Sequence, residues 1–248
     1  MLVAVAVCPH PPLLVPELAV GQDAQTEALR SACLRAAELL VAAPHDEVVV
    51  VGAGPIAGSP QPGSIGSLAP YGVDMSVCLA GIIPPRPQPG ASALPLSVTI
   101  GVWALRQAGY PRDLRARVVT DSDKPDECRD LGARMASFPV RTALLVMGDG
   151  SARRTEASPG YVDPRSEVFD DAVADALGSA DTAALAVLDP ALAAELLAMG
   201  RAPWQVLAGA AAGSAWRAEL LYADAPFGVG YFVAHWTPAR QQDRPASG

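Results

Sequence analysis

Residues 2–8 (LVAVAVC) form an unbroken apolar run that Pro9, Pro11 and Pro12 end abruptly. Such a run predicts a buried strand opening onto a stiff loop. In the stretch 24–43, Leu29, Cys33, Ala36/Ala37 and Leu40 share one stripe, while Glu27, Arg30, Arg35 and Glu38 fall mostly off it, the pattern of an amphipathic helix. Residues 47–51 (EVVVV) lack polar alternation, as strands do when helices cover both faces of a parallel sheet. Further strands are expected at 115–120 and 142–147, with a hairpin-like pair near 218–222 and 230–236. Helices are expected at 94–108, 124–138 (capped by Ser122/Asp123), 166–177, 190–199 and 203–212. Between 52 and 92 Gly, Pro and Ser erase any period. This predicts two long loops around a short apolar stretch near Val77, and long loops inside a compact domain are usually functional. The alternation of strands and helices predicts an α/β fold: a single three-layer α/β/α domain over 1–237 with a mainly parallel central sheet. The polar residues 238–248 read as a disordered tail.

Composition narrows the classes of function. Half of the 248 residues are hydrophobic and the mean hydropathy is +0.24, yet no run of about 18 uncharged apolar residues free of Gly and Pro is present, so no membrane partner is expected. The net charge is −8, and every basic residue except Lys124 is an arginine. Without a basic patch to neutralise phosphates, nucleic-acid binding is not expected either. Cys8, Cys33, Cys78 and Cys128 are widely spaced with no CxxC pair, and the apolar N-terminus has neither a basic region before it nor a cleavage site. These features read as a reduced, cytoplasmic protein.

Few motifs carry chemistry. The loop Gly52-Ala53-Gly54-Pro55-Ile56-Ala57-Gly58 follows a strand like a dinucleotide-binding turn, but its glycine spacing differs and two prolines and a glycine follow within five residues, where the phosphate-binding helix should begin. Cys33 and Cys78 read as small core residues, and Cys8 as the last buried position of its strand. His10 is the informative residue. It stands in the loop after the first strand, fixed by prolines, at the sheet end where α/β proteins bind ligands, which suits a metal ligand or a general base as well as a structural histidine.

The segment Cys8-Pro9-His10-Pro11-Pro12-Leu13-Leu14-Val15-Pro16-Glu17 resembles the N-terminal signature of the class III extradiol ring-cleavage dioxygenases in their catalytic-subunit form. Leu94-Pro95-Leu96-Ser97, Gly148-Asp149-Gly150-Ser151, Tyr161-Val162-Asp163-Pro164, Gly200-Arg201 with Gly209, and Pro226 to Tyr231 extend the resemblance in matching order over nearly the whole chain. It implies a helix-flanked α/β sheet, a non-haem Fe(II) on two histidines and a carboxylate, a catecholic substrate, and a separate acid/base histidine. His10 matches the first ligand and Glu219 the third. The second should fall at Ala53 or Gly54, and Ala152 stands where the acid/base histidine belongs. His45 precedes its strand and His235 reads as an edge residue beyond the hairpin, so neither restores the set; Asp149 or Cys8 would have to complete it.

The resemblance therefore implies a family member with an incomplete metal site that does not cleave rings and holds no resident metal. Its strand-end cleft would bind a small, acidic ligand near Gly54 and the guanidinium groups of Arg153 and Arg154, although such a pair also commonly bridges to a neighbour such as Glu156. The rival expectation is an active non-haem Fe(II) or other divalent-metal oxidoreductase on a catecholic or other small aromatic substrate, with a rearranged site. A homo-oligomer stays open, and the Pro-rich stretch 81–90 reads as a rigid surface loop.

Overall fold

The computed structural model describes residues 1–19, 23–81, 92–159 and 161–239. Most of the Pro-rich stretch and nearly all of the tail, with the rigid loop and the disordered tail expected there, lie outside the described residues.

Six strands form the central sheet: β1 (Leu2–Cys8), β2 (Glu47–Ala53), β5 (Arg115–Val119), β6 (Thr142–Met147), β7 (Trp216–Asp224) and β8 (Tyr231–Pro238), in the order β5-β2-β6-β1-β8-β7. The first four in that order run parallel, and β8 and β7 add antiparallel. The four parallel strands are the near-continuous aliphatic runs of the sequence, and helices cover both of their faces. One side chain set (Ala4, Ala6, Cys8; Val48, Val50; Leu145, Met147) packs under α1 (Ala24–Ala42) and α2 (Leu96–Gln107). The alternate set (Val5, Val7; Val49, Val51; Leu144, Val146) packs against the other layer, with α3 (Pro125–Ser137), α4 (Arg165–Ser179) and α7 (Arg201–Ala211). The expected three-layer α/β fold is what the chain adopts.

Helix starts follow local chemistry. Asp23 caps α1 by accepting from the Thr26 N–H at 2.6 Å. α3 begins one residue later than its expected cap: Pro125 takes the first helical position, Glu127 accepts from the Lys124 N–H, and Asp123 instead accepts from the Thr120 N–H and hydroxyl. α7 starts at Arg201, two residues before the expected Pro203, because a proline within the first turn costs no helical hydrogen bond. α3 and α7 cross at backbone distance, where Cβ atoms on Gly132 and Gly209 would fall 1.9 Å from the Val206 carbonyl oxygen and 2.0 Å from the Arg129 carbonyl oxygen.

Four features depart from the sequence reading. The aperiodic region contains a small antiparallel hairpin, β3 (Ile65–Ser67) with β4 (Ser76–Cys78), too short for any pattern to reveal. A five-residue helix, α5 (Thr182–Ala186), opens on the Asp181 carboxylate. The helix expected over 190–199 stops at Glu195 (α6, Pro190–Glu195), and Leu197 then takes a left-handed conformation with φ of 57°. Finally, β8 inserts between β1 and β7, so β7 is the sheet edge and His235 is an interior strand residue, not an edge one. The sequence shows a hairpin but not which of its strands meets β1.

Candidate functional site

Parity along the strands gathers the site. His10 lies two residues beyond Cys8, Asp149 two beyond Met147, and Tyr231 begins β8. All three continue the face that packs under α1, at the carboxyl ends of β1 and β6. The Gly148 N–H extends the parallel ladder to the Cys8 carbonyl at 3.0 Å, which brings the two loops together. Asp149 Oδ1 accepts the His10 backbone N–H at 2.8 Å and lies 3.4 Å from ring Nδ1. His10 is buried, and Nδ1 is its enclosed ring nitrogen. The carboxylate thus stands beside the imidazole while it binds the His10 backbone, and Nδ1 itself has no hydrogen-bond partner among the described residues.

The surroundings are weakly polar. Burial, with Asp149 nearby, pushes the Tyr231 hydroxyl far above the ordinary phenol range, and burial raises Tyr222 to about 12. The Cys8 thiol points to the Cys33 carbonyl at 3.9 Å, and burial, reinforced by Cys8, holds the Cys33 thiol protonated. In that state the Cys33 sulfur is neither a nucleophile nor a ligand.

A second tier holds this loop in place. Ser151 donates both its N–H (2.8 Å) and its hydroxyl (2.7 Å) to the carboxylate of Asp170 on α4, which is wholly buried. The Gly150 N–H meets the Gly230 carbonyl at 2.7 Å, and the Gly230 N–H meets the Ser151 carbonyl at 2.8 Å. Sequence reasoning passed over Asp170. The available signal was an acid on the apolar stripe of a helix, between Phe169 and Val173.

The remaining expected site residues disperse. Glu219 pairs with His235, which pairs with Ala6, four residues before His10. At about 3.3 Å per residue this sets Glu219 roughly 13 Å back along the sheet and two strands away, so it is not a partner of His10. Gly54 does lie at the correct sheet end, but a Cβ there would sit 2.8 Å from Val118 Cγ1 and 2.9 Å from Pro95 Cβ. Ala152 stays an alanine in a loop, its N–H bonded to the Leu196 carbonyl. Arg154 is not free for a ligand: it reaches Asp170 at 3.3 Å, Asp171 at 3.4 Å and Glu167 at 3.6 Å, all on α4, and its partner is not Glu156. Arg153 keeps a buried Nε with no partner among the described residues.

The residues present do not fit the iron triad. Among the described residues no group of three or more His, Cys, Asp or Glu side chains is placed to hold a metal ion. The pair His10 and Asp149 supplies one nitrogen and one carboxylate; of the two positions expected for a second histidine, Ala53 has no donor atom and Gly54 is closed by Pro95 and Val118, and Glu219 lies elsewhere on the sheet.

A cavity of about 360 Å³ opens beside this end of the sheet, walled by the loop after β2 (Pro55 to Gln61), by Ser92 to Pro95 and by Val118. Among the described residues no charged side chain lines it; Ser59, Gln61 and Ser92 supply the side-chain polarity. No helix opens from the glycine loop; instead the Gly58 N–H and carbonyl both pair with Val118.

His235 is the other buried histidine of the sheet. Its Nε2 has no partner among the described residues, and burial lowers its basicity against the opposing pull of Glu219. The folded-state value is therefore below that of the unfolded chain, so its contribution to stability is complete above about pH 6.5 and is lost as the pH falls below it. Urea unfolding at pH 7.5 and 5.5 should show a smaller loss for His235→Gln than for wild type. An equal loss in both would mean that His235 does not contribute.

No family profile matches this chain, and no curated protein matches it. An uncharacterized protein from Escherichia coli K12, solved by crystallography, superposes with a TM-score of 0.55 over 95% of this chain and 99% of its own, at 11% identity. No helix among the described residues is long and apolar enough to cross a membrane. At that identity the likeness establishes the fold and nothing of the chemistry: the chain is a mixed α/β protein built on a six-stranded, mostly parallel sheet.

Proposed function

We propose that this chain is a non-cleaving relative of the class III extradiol dioxygenases that binds a small molecule at the carboxyl end of its sheet. The observation that carries the reading is at the end of β2, where Ala53 has no donor atom and even a Cβ on Gly54 would meet Pro95 and Val118. With Glu219 beside His235 and an alanine at position 152, His10 and Asp149 are left as an isolated imidazole–carboxylate pair at the sheet end. The neighbouring cavity supports a neutral, largely apolar ligand in place of an acidic one, because its lining among the described residues is uncharged and Arg154 is committed to α4. Four free, buried cysteines support a reducing, cytoplasmic location.

The competing reading, an active iron enzyme with a rearranged site, draws on the closeness of His10 to Asp149. The test is to load the protein anaerobically with Fe(II), add catechol or its 4-carboxylate with oxygen, and follow the yellow ring-fission product. None should form above the protein-free rate. A product whose formation is lost in His10→Ala would overturn the proposal in favour of the iron enzyme.

A further inference from the structure

The layer opposite His10 carries a second feature, independent of that site. Between α4 and the α5–α6 pair runs an open cavity of about 600 Å³, walled mainly by Val168, Phe169, Ala172, Val187, Leu188 and Leu192. Its rims are unusual for a solvated surface: Val168 on α4 is 73% exposed and Val187 after α5 is 76% exposed. Large aliphatic side chains on both lips of one groove mark an interaction surface more than scattered surface apolarity does.

Charge identifies the partner. The stretch from Asp163 to Glu195 contains eight acidic residues and one basic residue, Arg165, and so carries −7 of the chain's net charge of −8. Arg165 is itself neutralised by Asp163 at 2.6 Å and Glu195 at 2.7 Å, and Arg154 serves the three acids on the inner flank of α4. Asp175, Asp181 and Asp189 have no cation within ion-pair distance among the described residues. A second copy of this chain would bring two such surfaces together and set the exposed Asp175, Asp181 and Asp189 against like charges. The chain's own residues 240–248 (RQQDRPASG) offer basic groups but no aliphatic side chain larger than alanine or proline to fill the groove.

We propose that this groove docks a basic amphipathic helix of a partner protein, its aliphatic stripe at i, i+3, i+4 and i+7 set between Val168 and Val187 and its lysines or arginines over the acidic rims. Along α4 the groove runs from Pro164 to Ala172, about 13 Å, enough for two turns of a helix packed alongside. A fluorescein-labelled 18-residue Leu/Lys peptide with that periodicity serves as the probe, beside a scrambled peptide of identical composition. Fluorescence anisotropy should show the amphipathic peptide binding at least tenfold more tightly than the scrambled one. The preference should fall at least tenfold in Val168→Asn/Val187→Asn, whose exposed positions leave the melting temperature unchanged. Equal binding of both peptides, or an affinity unaltered by the double substitution, would reduce the effect to bulk electrostatics and overturn the proposal. A concentration-dependent dimer in sedimentation that the double substitution abolishes would overturn it in favour of self-association.

Discussion

Replacing Asp170 with alanine should be the most damaging single change in the protein. The carboxylate is wholly enclosed, accepts two hydrogen bonds from Ser151 at 2.8 and 2.7 Å, and is bridged by Arg154 at 3.3 Å. Burial alone raises its titration above the usual carboxylate range, and the Ser151 and Arg154 contacts oppose that rise. Removing it leaves two buried Ser151 donors without their acceptor and takes the one buried carboxylate from Arg154, which keeps Asp171 and Glu167, a class of lesion that costs about 3–5 kcal/mol. For a chain of this length the melting temperature should fall by roughly 6–15 °C. Thermal and urea unfolding measure this. A loss below about 1 kcal/mol would show that the Ser151 loop finds its shape without Asp170. Since Gly150 and Gly230 approach the same carboxylate closely, the loop that carries Asp149 should loosen as well.

The second large effect is expected at Trp204. Its indole is fully buried beneath the Gly148–Asp149 turn, edge-on to Phe232 at 6.0 Å, with Gly148 and Gly200 both flattened against it. The Gly200 N–H in turn holds the Asp149 carbonyl at 2.8 Å. Trp204→Ala therefore opens a cavity directly under the residue that fixes His10, and a cost of about 3–5 kcal/mol is expected. The indole Nε1 is buried without a hydrogen-bond partner among the described residues. Trp204→Phe, which removes that unpaired donor while keeping most of the ring, should therefore cost much less than the alanine change. The measurements are unfolding free energies for both variants and hydrogen exchange at the His10 amide, which donates to Asp149. Protection there should collapse in the alanine variant and survive in the phenylalanine one. Equal losses of stability in the two would mean that the indole nitrogen, not the ring volume, is what the site needs.

How much was legible in the sequence depends on the range of the interaction. The aliphatic runs at 2–8, 47–51 and 142–147 are strands because nothing polar interrupts them, and the stripe through Leu29, Cys33 and Leu40 is a helix face. These signals are local, and each element appears within a few residues of its expected bounds. His10 was found for the same reason, as a polar side chain fixed by prolines at a strand end. The rest depended on pairing. Glu219 stands at a position that order along the chain makes plausible, but the antiparallel register of β7 on β8 sets it opposite His235, far from His10. Arg154 looked free beside a ligand cleft because its partners are 13 to 17 residues away, one turn of α4 apart. Asp170 was hidden by its helix: acids on helices are ordinarily solvated, and only the packing of the 148–151 turn against α4 makes this one an anchor.

The central claim is that the sheet end around His10 has lost the ability to hold iron, and the stoichiometry of bound metal tests it most directly. Protein dialysed anaerobically against a modest excess of Fe(II), then stripped of loosely held ion, should retain well under one iron per chain, and His10→Ala and Asp149→Ala should retain no less. One tightly bound iron per chain, lost in both variants, would contradict the account.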